Sequence, residues 1–198
     1  MKNYKSGLVS QSLWYDEFDI YLSHLNQGKT FKEINQLSDQ KNIFQASSTN
    51  RALRLSRALA TRIEAIPNNI LNIYFQLDTS NQKIVDFLGI MLVYRILREF
   101  MYETYRDEII LGDCRLEDTE IQAFLTRKQE ESSQVAQWHE VTIHRLKAAF
   151  KSLLREAGLV RDDHNRKFDV VTPVFLNPIL VQAMKTADLS YELGALEG

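Results

Sequence analysis

The segment FLGIMLVY, residues 87–94, constrains the fold more than any other part of the chain. Asp86 and Arg95 flank it, and its eight residues are far fewer than the roughly 20 that a membrane-spanning helix needs. Helical periodicity continues on both sides, from Thr79 or Ser80 to about Tyr105, and apolar residues lie all round the middle of this helix. Such a helix must be covered by other elements, so the sequence predicts a buried central helix in a bundle.

Turn-forming residues are scarce, which favours long helices. The 198 residues include only seven glycines and three prolines, and Leu, Ile, Ala, Glu, Gln, Lys and Arg are abundant. We therefore expect a mainly α, compact helical bundle with helix-turn-helix elements and a small, winged-helix-like C-terminal β-hairpin. We expect one globular domain over residues 1–198, with an N-terminal helix-turn-helix region (1–67), a central helical core (68–131) and a C-terminal helix plus hairpin (132–198).

Local signals place several of these elements. Thr30 and Glu33 have the spacing of a capping box at the start of one helix. Ser48, Thr49 and Asn50 all offer N-cap side chains to the next helix, which should end before Pro67. Further along, the chain predicts a helix over residues 134–157, a hairpin with strands at 159–161 and 167–172, a short helix at 177–186 and a tail.

The cysteine content and the N-terminal sequence indicate a cytoplasmic protein that makes no membrane contact. Cys114 is the single cysteine, which excludes an internal disulfide and a multi-thiolate zinc site. The N-terminal MKNYKSGLVSQSLW has no long apolar stretch of the kind found in a secretory signal.

Charge is distributed unevenly although the formal net charge is only −2. Residues 27–63 hold seven Lys or Arg against two acidic residues, and residues 145–167 hold seven against three. Between these blocks, residues 102–131 hold four basic residues against nine acidic ones. A polyanion responds to local potential, so the two basic blocks are the candidate nucleic-acid contacts.

The first basic block contains the helix that follows ASSTN, residues 46–50. At helical spacing its apolar residues share one face and its four arginines share another, so we expect the arginines to point outward together. Two short helices joined by a tight connector, with the second more basic, match a helix-turn-helix. The alternative is an ordinary solvated face. The candidate DNA-binding residues here are Lys29, Lys32, Lys41, Ser48, Thr49, Asn50, Arg51, Arg54, Arg57 and Arg62.

The second basic block combines a cationic helix edge with the predicted hairpin. Such a pair suits tracking of a phosphate backbone, although a solvated stripe with Lys stems over apolar surface is again the alternative. The candidate DNA-binding residues here are His144, Lys147, Lys151, Arg155, Arg161, Arg166 and Lys167.

No pattern in the chain supports catalysis. His139 and His144 are five residues apart, about 140° on a helix, whereas a zinc-binding helix needs a spacing of four. Cys114 has acidic neighbours, which disfavour a reactive thiolate. We expect no enzyme activity, no catalytic residue, no metal and no cofactor.

The N-terminal YKSGLVSQSLW, the helix SSTNRALRLSRALATRIEAI, and LLREAGLV followed by TPVFLNPIL resemble the BrxA family of BREX bacteriophage-exclusion systems. The resemblance implies an all-α protein with helix-turn-helix elements that binds double-stranded DNA. It also implies that the protein works beside other BREX proteins, among them a methyltransferase and an ATPase. By position, it assigns DNA contact to the helix of residues 51–62 and to the helix and hairpin near residues 147–167.

Two functional hypotheses follow. In the first, the protein binds duplex DNA mainly through phosphates. In the second, it is a protein-interaction module whose acidic segment, residues 102–131, docks on a basic partner, and DNA contact is incidental.

Overall fold

The structure, a computed structural model, describes residues 3–112, 114–162 and 168–198. Helices dominate it, and the mainly α fold class predicted from the sequence is confirmed. In the first half of the chain the helices are α1 (Tyr15–Asn26), α2 (Phe31–Lys41), α3 (Thr49–Ala65), α4 (Asn68–Leu71), α5 (Thr79–Val93) and α6 (Arg95–Phe100). There follow α7 (Arg106–Leu111), β1 (Arg115–Glu117), α8 (Asp118–Glu131), α9 (Ser133–Ala136), α10 (Glu140–Glu156), β2 (Val160–Asp162), β3 (Phe168–Val171), α11 (Pro178–Thr186) and α12 (Ser190–Glu197). The division into three regions stays a prediction.

The central apolar helix is buried as predicted, but it is shorter than predicted. Asp78 caps α5 by accepting a hydrogen bond from the Asn81 backbone N–H at 3.1 Å, and every residue from Ile84 to Met91 is buried. The helix ends at Val93 because Tyr94 has an extended backbone (φ −112°, ψ 95°), after which α6 begins at once. The prediction of one continuous helix to about Tyr105 is therefore wrong.

The N-terminal helices follow their sequence signals closely. The capping box of α2 is present: Glu33 N–H donates to Thr30 Oγ1 at 3.2 Å, and Thr30 N–H donates to Glu33 Oε2 at 2.7 Å. Ser48 caps α3, which ends before Pro67. Polar contacts join α2 to α3, since Ser38 Oγ donates to the Ala52 carbonyl at 3.0 Å and Ser56 Oγ donates to Asn35 Oδ1 at 2.6 Å.

The C-terminal hairpin is confirmed and belongs to a larger sheet. Strands β2 and β3 pair antiparallel, with Val160 opposite Val171. The third strand, β1, pairs antiparallel with the other edge of β3, which gives the order β1-β3-β2. The sequence predicted a two-stranded hairpin and no strand at residues 115–117.

Helix boundaries in the C-terminal part also differ from the sequence predictions. The expected helix over residues 134–157 is two helices, α9 and α10, separated at residues 137–139. The residues expected to form a tail include α12, which buries Leu193, Ala195 and Leu196.

The N-terminal segment, residues 4–13, is bonded near both of its ends to the C-terminal part of the chain. The Tyr4 backbone N–H donates to Gln134 Oε1 at 3.1 Å, and the Leu13 backbone N–H donates to Glu156 Oε2 at 2.7 Å. One cluster of buried hydrophobic residues includes side chains from Tyr4 to Leu196. In the described part of the chain, no helix is both long enough and apolar enough to cross a bilayer.

Candidate nucleic-acid interface

Three arginines project from consecutive turns of α3 into solvent. Arg51, Arg54 and Arg57 are exposed, whereas Ala52, Leu55 and Leu59 on the opposite side are buried. Within the described residues, none of the three guanidinium groups forms an ion pair. Their positive potential is therefore not offset by a neighbouring carboxylate of the described residues and can attract an external anion.

The N-terminus of α3 is exposed beside these arginines. The Ser48 hydroxyl accepts a hydrogen bond from the Arg51 backbone N–H at 3.3 Å, so it is engaged as the helix cap. Thr49 and Asn50 are exposed in the first turn, where unpaired backbone N–H groups favour a negative ligand. The connector before them is fixed by the Asn42 side chain, which makes two hydrogen bonds of 2.8 Å to the Ala46 backbone.

The lysines of α2 are spread along α3 and do not form one cluster. The contacts of Ser38 with Ala52 and of Asn35 with Ser56 show that residue numbers increase in opposite directions along the two helices. Exposed Lys41 thus lies toward the start of α3, and exposed Lys32 lies toward its middle. Lys29 precedes α2 and donates to Gln27 Oε1 at 3.0 Å.

Arg62 is buried, so the prediction that it faces outward with the other three is wrong. Its side chain is only 1% exposed, and it forms a 3.0 Å ion pair with Asp86 of α5. The N-terminal segment covers this turn of α3, because the guanidinium also donates to the carbonyls of Ser12 and Leu13, each at 2.7 Å, and to Gln11 Oε1 at 2.9 Å. A helical wheel of α3 cannot show a cover supplied by another segment.

Burial dominates the electrostatics of this pair. It raises the pKa of Asp86 to about 7, because the loss of solvation outweighs the opposing effect of the Arg62 guanidinium. The sequence signal for this pair was Asp86 itself, an acidic residue within the apolar run that starts at Ile84.

The cationic edge of α10 has two halves. In the C-terminal half, the tied half, the cations form ion pairs, and in the N-terminal half, the open half, they form none within the described residues. Toward its C-terminal end, Lys151 pairs with Asp118 at 2.8 Å, and Arg155 pairs with the buried carboxylate of Asp169 at 2.6 Å. The Lys151 hydrogen bond lowers the pKa of Asp118. Arg155 also lies 3.4 Å from Asp162. These two predicted DNA-binding cations thus also connect α10 to α8 and to the sheet.

The N-terminal half of α10 carries the cations without such partners. His144 and Arg145 are exposed and Lys147 is partly exposed, and none of them forms an ion pair within the described residues. Exposed Arg161 lies on β2. The predicted residues Arg166 and Lys167 lie outside the described residues. Arg145 is not among the contact residues predicted from the sequence, although it is exposed, as His144 is.

Two carboxylates of the acidic segment, Glu103 and Glu131, and Glu99 just before it surround the side chain of Lys128. Buried Lys128 lies 2.8 Å from Glu103, 2.9 Å from Glu131 and 3.1 Å from Glu99. Burial favours a lower pKa for Lys128, but these carboxylates outweigh it and raise the pKa. Glu103 and Glu131 are therefore engaged in contacts within the protein.

The described residues contain no group of three or more His, Cys, Asp or Glu placed to hold a metal ion. Cys114 is a partly buried free thiol.

Comparisons with known proteins match most of the chain. The BrxA family model matches residues 2–188. A relative described as "BREX protein BrxA", from Bacillus cereus, is 26% identical over 164 residues, which cover 83% of this chain and 82% of the relative. The fold is similar to the crystal structure of an uncharacterized protein from Magnetospirillum magneticum, with a TM-score of 0.79, 16% identity and coverage of 99% of both chains. Because the family model spans nearly its whole length, the chain belongs to the BrxA family.

Proposed function

We propose that this protein is a non-enzymatic, double-stranded DNA-binding component of a BREX phage-defence system and that it contacts mainly phosphates. The observation that carries the proposal is the row of three exposed arginines, Arg51, Arg54 and Arg57, which have no carboxylate partner among the residues that the structure describes. Arginine forms charge-assisted, often bidentate hydrogen bonds with phosphates. The open first turn of α3 adds backbone donors at the same place.

The arrangement of α2 and α3 supports this assignment. The two helices pack through side-chain hydrogen bonds and are joined by residues 42–48, a connector longer than the turn of about three or four residues in a standard helix-turn-helix. In that motif the second helix enters the major groove. Here α3 is the second helix, and its solvent face carries the unpaired cations.

A second contact surface is formed by α10 and the sheet. The order β1, α8, α9, α10, β2, β3, with β3 in the centre of the sheet, supports a winged helix-turn-helix arrangement with α10 as its recognition helix. Its N-terminal half carries the open cations His144, Arg145 and Lys147. The N-terminal residues of a recognition helix are the ones that reach the groove, so the open half of α10 is the half that should meet DNA.

A salt-dependent titration of duplex DNA tests the proposal. The logarithm of the association constant should fall linearly with the logarithm of salt concentration, with a slope of about −0.9 for each neutralised phosphate. Reversing Arg54 and Arg57 to Glu should weaken binding to unrelated DNA sequences by the same factor. The slope should also become shallower by the contribution of about two neutralised phosphates.

A matched control carries the same charge change elsewhere. Lys5 and Lys185 are exposed and lie outside α2, α3 and α10. Reversing both to Glu should leave the slope unchanged. Equal binding by the Arg54/Arg57 double variant and by the native protein would exclude α3 as the contact surface.

A second candidate function is assembly with other BREX proteins, such as the methyltransferase or the ATPase. It is favoured by two exposed apolar side chains at the end of α7, within the acidic segment: Ile110 is 55% exposed and Leu111 is 76% exposed. A pull-down from cells that carry the whole system, with nuclease present, separates this function from DNA binding. Complexes that survive nuclease but are lost in the Leu111→Ser variant would support assembly.

A further inference from the structure

A cleft of about 560 Å³ lies between the N-terminal segment, the connector before α3 and the first turns of α3. Its apolar lining includes Phe44 and Leu55, which are buried, and Trp14, which is partly buried. Arg51 and Arg54 line it on the side of α3. Most of the other lining residues are polar, and the volume lies within the range of small-molecule sites.

Contacts with Arg62 fix residues 11–14, which form one wall of the cleft. Arg62 donates hydrogen bonds to Gln11, Ser12 and Leu13, and its guanidinium carbon lies 4.8 Å from the centre of the Trp14 ring. Trp14 itself has a left-handed backbone (φ 55°), which a non-glycine residue adopts only when its surroundings fix it. The buried Arg62–Asp86 pair thus orders the segment that carries Trp14, a role independent of DNA.

The charges of the lining select for an anion. Arg51 and Arg54 are three residues apart, so their side chains leave the same face of α3 and can meet at one phosphate. The lining also includes the half-buried carboxylate of Glu17. Two guanidiniums against one carboxylate leave a positive balance, and Glu17 supplies an acceptor for an N–H group of the ligand.

We infer that this cleft binds a nucleoside phosphate, with its phosphate on Arg51 and Arg54 and its base against Trp14. The flat base matches the aromatic and apolar lining, because stacking on an aromatic side chain tolerates any base. Glu17 accepts a hydrogen bond from an exocyclic amino group or ring N–H. The inference goes beyond the proposed function and holds whether or not α3 contacts a duplex.

Fluorescence of Trp14 provides a direct test. The chain has two tryptophans, so the Trp138→Phe variant leaves Trp14 as the sole one. Adenosine 5′-monophosphate should change its fluorescence saturably, and adenosine or inorganic phosphate alone should bind at least ten times more weakly. The nucleoside phosphate could belong to a free nucleotide or to the 5′ end of a DNA strand. A short single-stranded oligonucleotide with a 5′-phosphate, added as competitor, distinguishes these two ligands. If it displaces adenosine 5′-monophosphate, the ligand is a strand end, and if it does not, the ligand is a free nucleotide.

Two variants separate this site from the DNA surface. Arg57 is on the same helix but does not line the cleft, so Arg57→Gln should weaken duplex binding and leave binding of adenosine 5′-monophosphate unchanged. Glu17→Gln should weaken nucleotide binding and spare duplex binding, and Arg54→Gln should weaken both. The inference is overturned if adenosine 5′-monophosphate gives no saturable change, if inorganic phosphate binds as tightly, or if Arg54→Gln binds the nucleotide as the native protein does.

Discussion

Arg62 and Asp86 form a 3.0 Å ion pair in which the two side chains are 1% and 0% exposed. The pair joins α3 to α5 at the centre of the fold, and three further hydrogen bonds from Arg62 fix the N-terminal segment. One buried guanidinium therefore connects three separate parts of the chain.

Removing this guanidinium should destabilise the protein strongly. Arg62→Ala leaves the buried Asp86 without its partner and leaves two backbone carbonyls without a donor, which should cost about 3–5 kcal/mol of unfolding free energy. Urea unfolding followed by circular dichroism measures this change. Arg57→Ala, an exposed site on the same helix, should stay within about 0.5 kcal/mol of the native protein. Similar values for the two variants would contradict the structural role of Arg62.

The same pair predicts a pH dependence of stability. The folded protein holds the pKa of Asp86 at about 7, above its ordinary value, because burial disfavours the carboxylate. As pH rises, Asp86 therefore loses its proton in the unfolded state before it does so in the folded state. Its contribution to the free energy of unfolding is full below the pKa of Asp86 in the unfolded state and is lost as pH rises through about 7. Urea unfolding from pH 5 to 8 should show native stability falling relative to Asp86→Asn, which cannot titrate. A constant difference between the two proteins would refute the shift.

Sequence periodicity predicts the exposure of Arg51, Arg54 and Arg57 because that property depends only on helix geometry and on the apolar face beside them. It fails for Arg62, four turns into the same helix, since the cover comes from residues 11–14. The capping box of Thr30 and the hairpin of β2 and β3 are also local signals, and both are present.

Features that depend on contacts between distant segments of the chain could not be predicted from local sequence patterns. Strand β1 has only three residues and exists through its pairing with β3, more than 50 residues later in the chain. The end of α5 at Tyr94 has no glycine or proline to mark it. The pairing of Lys151 and Arg155 with Asp118 and Asp169 likewise needs three elements to come together.

Gly89 allows α3 and α5 to approach closely, and its replacement should be costly. A Cβ at this position would lie 3.0 Å from Ile66 Cδ1, 3.1 Å from Arg62 Cβ and 3.3 Å from the Arg62 carbonyl oxygen. Alanine is the better helix former by about 1 kcal/mol, but overpacking of about 1–3 kcal/mol should outweigh that gain. Gly89→Ala should therefore lower the midpoint of urea unfolding.

Gly194 supplies the matched control for this substitution. It lies within α12, and the nearest atom to an added Cβ is Tyr102 Cε2 at 3.8 Å, an ordinary contact. Gly194→Ala should leave stability unchanged or raise it by up to about 1 kcal/mol. If both variants shifted the midpoint in the same direction, close packing at Gly89 could not be the cause.

The division of α10 into an open and a tied half predicts that stability and DNA affinity respond to different residues. Arg155→Ala leaves the carboxylate of Asp169, which is 1% exposed, without its closest cation, and should cost about 1–3 kcal/mol of unfolding free energy. The double reversal of Arg145 and Lys147 to Glu removes no ion pair in the described part of the chain, so it should leave unfolding nearly unchanged.

DNA titration of the same proteins completes this test. The Arg145/Lys147 reversal should weaken duplex binding and make its salt dependence shallower, because the removed charges face an external anion. Folded Arg155→Ala should lose less affinity than this reversal, since its guanidinium is already neutralised by Asp169 at 2.6 Å. A larger loss of affinity from Arg155→Ala, with unfolding unchanged, would assign Arg155 to the DNA surface and would contradict the proposed boundary within α10.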